Sequence, residues 1–333
     1  ENKRVAVFGS ARGIAQYVTG GEQESSLYPE GSFDLLFLSR PSTNTTFFID
    51  LSSISGQGPD SAVDSLTRLN TDAERVKQQS TNESAAQVRE AWLSVDFLNL
   101  TTTVGKINLG YYFDKNRVAS DETTQFLNTS LVNNPMLRRP QNGAGVVVQY
   151  NVGRAVELLA GIQNPDPTVN NTDKVYTVFE LDYRSMRRRE GNWRFWSRKT
   201  PNASVTTPAG ENKESTGIGV SIDQEVTNRF TLFARAGSEK MEGTNQKAEA
   251  VSGGVEYRPS FSWLKEDRIG IAYSRQKDLN QTEDVAEGYF NRSFTDRLSA
   301  SLDLQWLIEG THSKTGKENK DLIIPGVRVT IYF

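Results

Sequence analysis

Hydrophobic and polar residues alternate in segment after segment of this chain. In Gln87 to Phe97, Ala91, Leu93, Val95 and Phe97 alternate with Glu90, Trp92, Ser94 and Asp96. In Val175 to Arg184, Phe179, Leu181 and Tyr183 oppose Glu180, Asp182 and Arg184. In Leu322 to Phe333, Val327, Val329, Ile331 and Phe333 oppose Arg328, Thr330 and Tyr332. A period of two places apolar side chains on one face of a strand and polar ones on the other. About sixteen such segments, bounded by turn residues, run from Arg4–Thr19, through Ser32–Ser39 after the connection GGEQESSLYPEG, to Leu322–Phe333.

The connections carry more information than the strands. After even-numbered segments they are short: RPSTN (40–44), FLN (97–99), VGR (152–154), EVTN (225–228) and FTD (294–296). After odd-numbered segments they are mostly long: Ile54 to Ala86, Gly110 to Asn142, Asn164 to Lys174, Thr200 to Ser215 and Glu309 to Asp321. The turns at 259–267 and Ser185 to Gly191 are wider than the rest. A transmembrane barrel alternates tight turns at one rim with long loops at the other, and a soluble β-sandwich has no reason to. The expected fold is all-β: one transmembrane antiparallel barrel of about sixteen strands over residues 1–333, with a long loop folded inward.

Composition agrees with a barrel. Hydrophobic residues make up 36% and mean hydropathy is −0.55, too polar for a helical membrane protein. A barrel escapes hydropathy scans because every second strand residue faces its interior. The absence of cysteine excludes disulfides and thiolate chemistry. Net charge is −3, from 38 basic and 41 acidic residues, so no nucleic-acid footprint is present. The chain opens on ENKRVAVFG, already patterned as a strand, and any targeting segment is expected to have been removed.

A resemblance sharpens the reading. The terminal strand, ending on Phe333, resembles the closing strand of bacterial outer-membrane barrels. The run TVGKINLGYYFDKNRVASDETTQFLNTSLVNNP, Thr103 to Pro135, resembles the centre of the carbohydrate-selective, OprB-type porin family. VAEGYFNRSFTDRLSASLDLQWLI, Val285 to Ile308, and the ending PGVRVTIYF resemble it again. The wording around DETTQFLN is similar to the porin domain of cyanobacterial outer-membrane proteins, which carry an additional N-terminal wall-binding module. The resemblance implies a bacterial outer-membrane location, a water-filled channel for small hydrophilic solutes, sugars first, and a lean towards monomers. Partners implied are membrane lipid, lipopolysaccharide, small sugars or ions, and a cell-wall polymer through a missing N-terminal region. An ion-conducting porin with little sugar selectivity, or a plugged barrel that anchors a partner, fits the same residues.

A channel needs a lumen, a constriction and a field. The polar strand face supplies Glu90, Trp92, Lys106, Arg194, Trp196, Arg198, Arg235, Glu287, Asp303, Gln305 and Arg328 as pore-lining residues. Gly110 to Asn142 is too long for a simple hairpin and holds Phe126, Leu127, Leu131 and Met136, which suits packing against an inner wall. It is expected to set the constriction, with Asp114, Asn116, Asp121 and Glu122 facing the pore. Arg138 and Arg139 stand where it returns to the sixth strand. Carboxylates, guanidinium and amide groups replace the hydration of sugar hydroxyls or tune ion choice. The simpler reading is that these charges solvate a wet wall and pair with neighbours. Trp92 and Trp196 stack on a sugar if they face the lumen and join an interfacial girdle if they face lipid; one residue of register decides. DSAVDSLTRLNTDAERVKQ, within Ile54 to Ala86, reads as a short surface helix. MRRRE (186–190) is a charge run at a turn. The single histidine, His312, lies in EGTHSKTGKEN without a nucleophile elbow, so neither enzyme chemistry, a metal site nor a cofactor is expected.

Overall fold

The computed structural model describes residues 5–21, 24–56, 58–63, 65–72, 86–165, 175–185, 189–201, 214–243, 247–259, 267–278, 281–310 and 320–333. His312, residues 186–188 of the arginine run, most of the 259–267 turn, and residues 64 and 73–78 of the expected surface helix lie outside them.

Sixteen strands form one closed barrel. They are β1 (Val5–Gly20), β2 (Ser26–Ser42), β3 (Thr45–Gly56), β4 (Gln87–Phe97), β5 (Leu100–Ile107), β6 (Gly143–Val152), β7 (Val156–Gln163) and β8 (Tyr176–Ser185). The second half comprises β9 (Gly191–Thr200), β10 (Ser215–Glu225), β11 (Phe230–Met241), β12 (Lys247–Tyr257), β13 (Arg268–Asp278), β14 (Gln281–Thr295), β15 (Leu298–Glu309) and β16 (Leu322–Tyr332). Each pairs antiparallel with its sequence neighbours, and β1 closes on β16 with Ser10 opposite Tyr332 and Ala15 opposite Val327. Closure removes the free edges that an open sheet would expose. At this strand number the interior is wide enough to hold a channel or a folded segment.

The two faces are inverted relative to a water-soluble protein. Ile218, Ile271, Leu302, Phe179 and Phe195 point outward and are half or more exposed. Arg12, Asp34, Asp50, Glu180, Arg235 and Arg328 point inward and are buried. Such a contiguous apolar exterior has no place in water but matches the hydrocarbon of a bilayer.

Two boundaries differ from the sequence reading. Strand β2 begins at Ser26, not Ser32, because Leu27 and Tyr28 pair with Tyr17 and Gln16. Pro29 and Gly31, which read as a turn, sit within that paired stretch opposite Ala15 and Gly13. Asp278 pairs with Gln281, so the β13–β14 connection at the loop rim is short and breaks the alternation there.

Candidate functional site

Two connections fill much of the barrel. Residues 108–142, between β5 and β6, enter from the loop rim. Asn108 accepts from the Gly110 backbone N–H at 2.9 Å and starts the descent. Phe113 then packs among Leu109, Met136, Leu137, Val147, Leu159, Tyr176 and Trp196 in one apolar cluster inside the barrel. Asp114 follows with φ 57°, a left-handed turn that an Asp tolerates better than most residues. Its carboxylate binds Arg235 at 3.0 Å and accepts from the Trp196 indole at 3.1 Å and the Asn134 N–H at 2.8 Å. Its own N–H donates to Glu180 at 2.7 Å. Asn116 donates to the Ile222 carbonyl at 3.1 Å, and Arg117 pairs with Asp223, Glu190 and Glu225 towards the turn rim.

The segment then crosses the lumen. Arg328 donates to the carbonyls of Glu122 and Gln125 and to Asp303, the last at 3.3 Å. Phe126 packs against Phe233 and meets Tyr289 edge-on at 4.9 Å. Glu287 accepts from the Leu127 and Asn128 N–H groups at 2.6 and 2.9 Å. A helical turn, Thr129–Val132, is capped by the Asn128 side chain. On the way back Arg198 donates to the Met136 carbonyl at 3.0 Å, and Arg138 pairs with Glu239 and Asp278. Wall glycines make room for the segment: a Cβ on Gly237 would lie 2.8 Å from Met136 Cβ and 2.6 Å from Asn134 Oδ1.

The second connection, after β3, also turns inward. This corrects the expected surface helix: over 58–72 the described chain is held inside the mouth. Asp60 accepts from the N–H groups of Leu69 and Asn70, and Glu283 accepts from those of Leu66 and Thr67. Asp72 sits against Arg12 at 3.0 Å and Ser32 at 2.5 Å. Leu69 is buried with Val18, Val285, Leu307, Leu322 and Ile324. The two connections bond to each other, Thr71 N–H to the Leu127 carbonyl and Thr129 N–H to the Arg68 carbonyl, each 2.9 Å.

Between them lies a cavity of about 390 Å³. Its lining includes Glu122, Arg138 and Arg139, with Thr67, Asn108, Asn133 and Tyr111. The other predicted site residues divide clearly. Asp114, Asn116, Arg194, Trp196, Arg198, Arg235, Glu287, Asp303, Gln305 and Arg328 are buried and bonded to the inward segments or to neighbouring wall groups. Glu90 is buried beside the Asn108 N–H at 3.4 Å. Trp92 faces inward, stacked on Phe48 at 4.9 Å between centroids, which settles its register away from lipid. Asp121 is part-buried, and hydrogen bonds from Thr123 and Thr124 outweigh the effect of burial to hold its carboxyl below the ordinary range.

Lys106 is a correction. It pairs with Ala91 and Ala144, on the face that carries Leu93 and Val146, and therefore points out of the barrel; its Nζ donates to the Val88 carbonyl at 2.6 Å. Strict alternation puts it there: Thr103 and Ile107 are buried on the inner face and Val104 is exposed on the outer one, so Lys106 shares the side of Val104 and its charge, not its place in the period, had suggested the lumen. The sequence reading also missed Arg12, Asp34, Asp50 and Arg89, which pair across the wall at the mouth. Their signal was present: charges on the polar faces of β1 to β4 with no loop partner visible nearby in sequence.

A closed sixteen-strand barrel with an apolar exterior, a polar interior and an inward-folded segment defines a porin-type protein of the bacterial outer membrane. Residues 187–333 match the carbohydrate-selective porin, OprB family. The barrel superposes on the high-pH structure of Pseudomonas putida OprB with a TM-score of 0.79 and 14% identity, over 100% of this chain and 95% of that one. A loop-deletion mutant of OmpT, an outer membrane protein of Vibrio cholerae, aligns with a TM-score of 0.63 and 11% identity, over 99% of each chain. An uncharacterized protein of Aquifex aeolicus (strain VF5) is 28% identical over 218 residues, 65% of this chain and 62% of that protein, so the match spans less than two thirds of its length.

Proposed function

We propose that this protein is a diffusion channel that carries small hydrophilic solutes, sugars foremost, across the outer membrane. The observation that carries the reading is the cavity between the two inward segments. Amides, hydroxyls, one carboxylate and the three arginines Arg68, Arg138 and Arg139 line it. Those groups donate and accept at close spacing, as a polyhydroxylated solute requires when it sheds water. The family's description, carbohydrate-selective, supports the same solute class. Membrane lipid surrounds the apolar exterior, and lipopolysaccharide meets its outer rim. Liposome swelling with monosaccharides, beside bilayer conductance in KCl, tests the proposal. Fast sugar entry supports it. Strong ion flux with poor sugar entry replaces it with a general ion channel, and neither flux points to a plugged barrel.

A further inference from the structure

The turn rim of the barrel carries cations that the channel does not use. Arg40 at the end of β2, Arg154 between β6 and β7, Arg229 between β10 and β11, and Arg297 between β14 and β15 are all exposed. They occupy every second turn, so they are spread around the whole circumference. Among the described residues none of the four side chains makes an ion pair, whereas the lumen arginines Arg12, Arg194, Arg198, Arg235 and Arg328 are all paired.

Their setting is equally specific. Just inside this rim the outward face carries exposed aromatics: Phe97, Tyr150, Trp193, Phe230 and Phe294. Arg229 directly precedes Phe230, and Tyr150 lies near the end of β6, four residues before Arg154. Arg292 lies over the Phe294 ring at 5.6 Å. Aromatic girdles mark the level where hydrocarbon gives way to headgroups. The four arginines stand one step beyond that level, where lipid phosphates lie, and guanidinium binds phosphate through paired hydrogen bonds.

From this juxtaposition we infer that the turn rim is a binding belt for anionic phospholipid headgroups of the leaflet around it. The inference rests on the membrane reading of the exterior and is independent of which solute crosses. Continuity with the aromatic girdle favours lipid over a wall polymer.

The test uses the whole chain refolded into bilayers of zwitterionic lipid with or without phosphatidylglycerol, followed by native mass spectrometry of the lipids that remain bound. The wild type should retain phosphatidylglycerol over the zwitterionic lipid, and high salt should weaken the preference. Arg→Gln at positions 40, 154, 229 and 297 together should abolish it, while Arg→Lys at the same positions retains most of it. Each single Gln change should lower retention by roughly fivefold at low salt. Heat-resistant gel mobility of every variant confirms an intact barrel, and unchanged conductance separates this belt from the channel. Equal retention of both lipids by the wild type, or an unchanged preference in the fourfold Gln variant, overturns the inference. So does arginine-dependent sedimentation with purified cell-wall sacculi in place of lipid retention.

Discussion

Asp114 and Arg235 meet 3.0 Å apart inside the barrel, with side chains 2% and 1% exposed. One belongs to the segment that crosses the lumen and the other to the wall strand β11. The Asp114 carbonyl also accepts from Arg235 at 3.1 Å, and the Leu131 carbonyl accepts from it at 2.6 Å. A single guanidinium therefore ties both arms of the inward segment to the wall.

Removing one partner strands a buried charge, which costs about 3–5 kcal/mol where the pair is fully desolvated. Arg235→Met should therefore loosen residues 114–134, seen as faster amide exchange there and noisier single-channel current. The strands should keep their heat resistance, because their hydrogen bonds do not involve this side chain. Asp114→Asn combined with Arg235→Gln should recover part of the protection. Unchanged exchange in the single variant would show that the pair does not hold the segment.

Deleting Ser120 to Asn133 removes the part of the segment that crosses the lumen between the Arg117 and Arg138 anchors. Conductance should rise and discrimination between solutes should weaken. An unchanged conductance would place the constriction elsewhere.

Gly237→Leu should displace Met136 and Asn134 from their seat, because no side chain fits between them and the wall. Overpacking of this kind costs about 1–3 kcal/mol. The expected readout is altered conductance with a barrel that still resists heat. A conductance identical to wild type would mean that this contact does not position the segment.

Asp121 and Glu122 should separate. Glu122 lines the cavity, so Glu122→Gln should shift ion preference away from cations in reversal-potential measurements. Asp121 instead holds its own turn through Thr123 and Thr124, so Asp121→Asn should loosen that turn with a smaller change in selectivity. Its lowered pKa means that the charged form supports the folded turn at all pH values above the ordinary carboxylate value of about 3.9. That support is lost as pH falls through the lowered value, so turn loosening is expected only in strong acid. Loosening near neutral pH would contradict this sign.

Trp92 stacks on Phe48 inside the barrel. If this pair offers a face to sugar rings, Trp92→Ala should slow monosaccharide swelling while leaving KCl conductance nearly unchanged. Equal loss of both fluxes would assign it to packing alone.

The strands and the barrel were legible in the sequence because a bilayer imposes one rule on every strand residue: outward apolar, inward polar. Val327, Val329 and Ile331 against Arg328 and Thr330 state that rule locally, and the alternation of turns and loops states it for the whole circumference. The inward course of residues 108–142 was legible too, since Phe126, Leu131 and Met136 need an apolar partner. What Arg198, Arg235, Glu287 and Arg328 bind was decided only by tertiary structure. A polar inward residue looks the same in sequence whether it meets water or a buried backbone, and these four meet the backbone of one crossing segment. The placement of residues 58–72 was equally hidden, because Asp60, Thr67 and Asp72 read as surface polarity until Glu283 and Arg12 arrive from strands far away in the chain. The outward place of Lys106 was legible too, since it shares the parity of Val104; its charge alone had suggested the lumen.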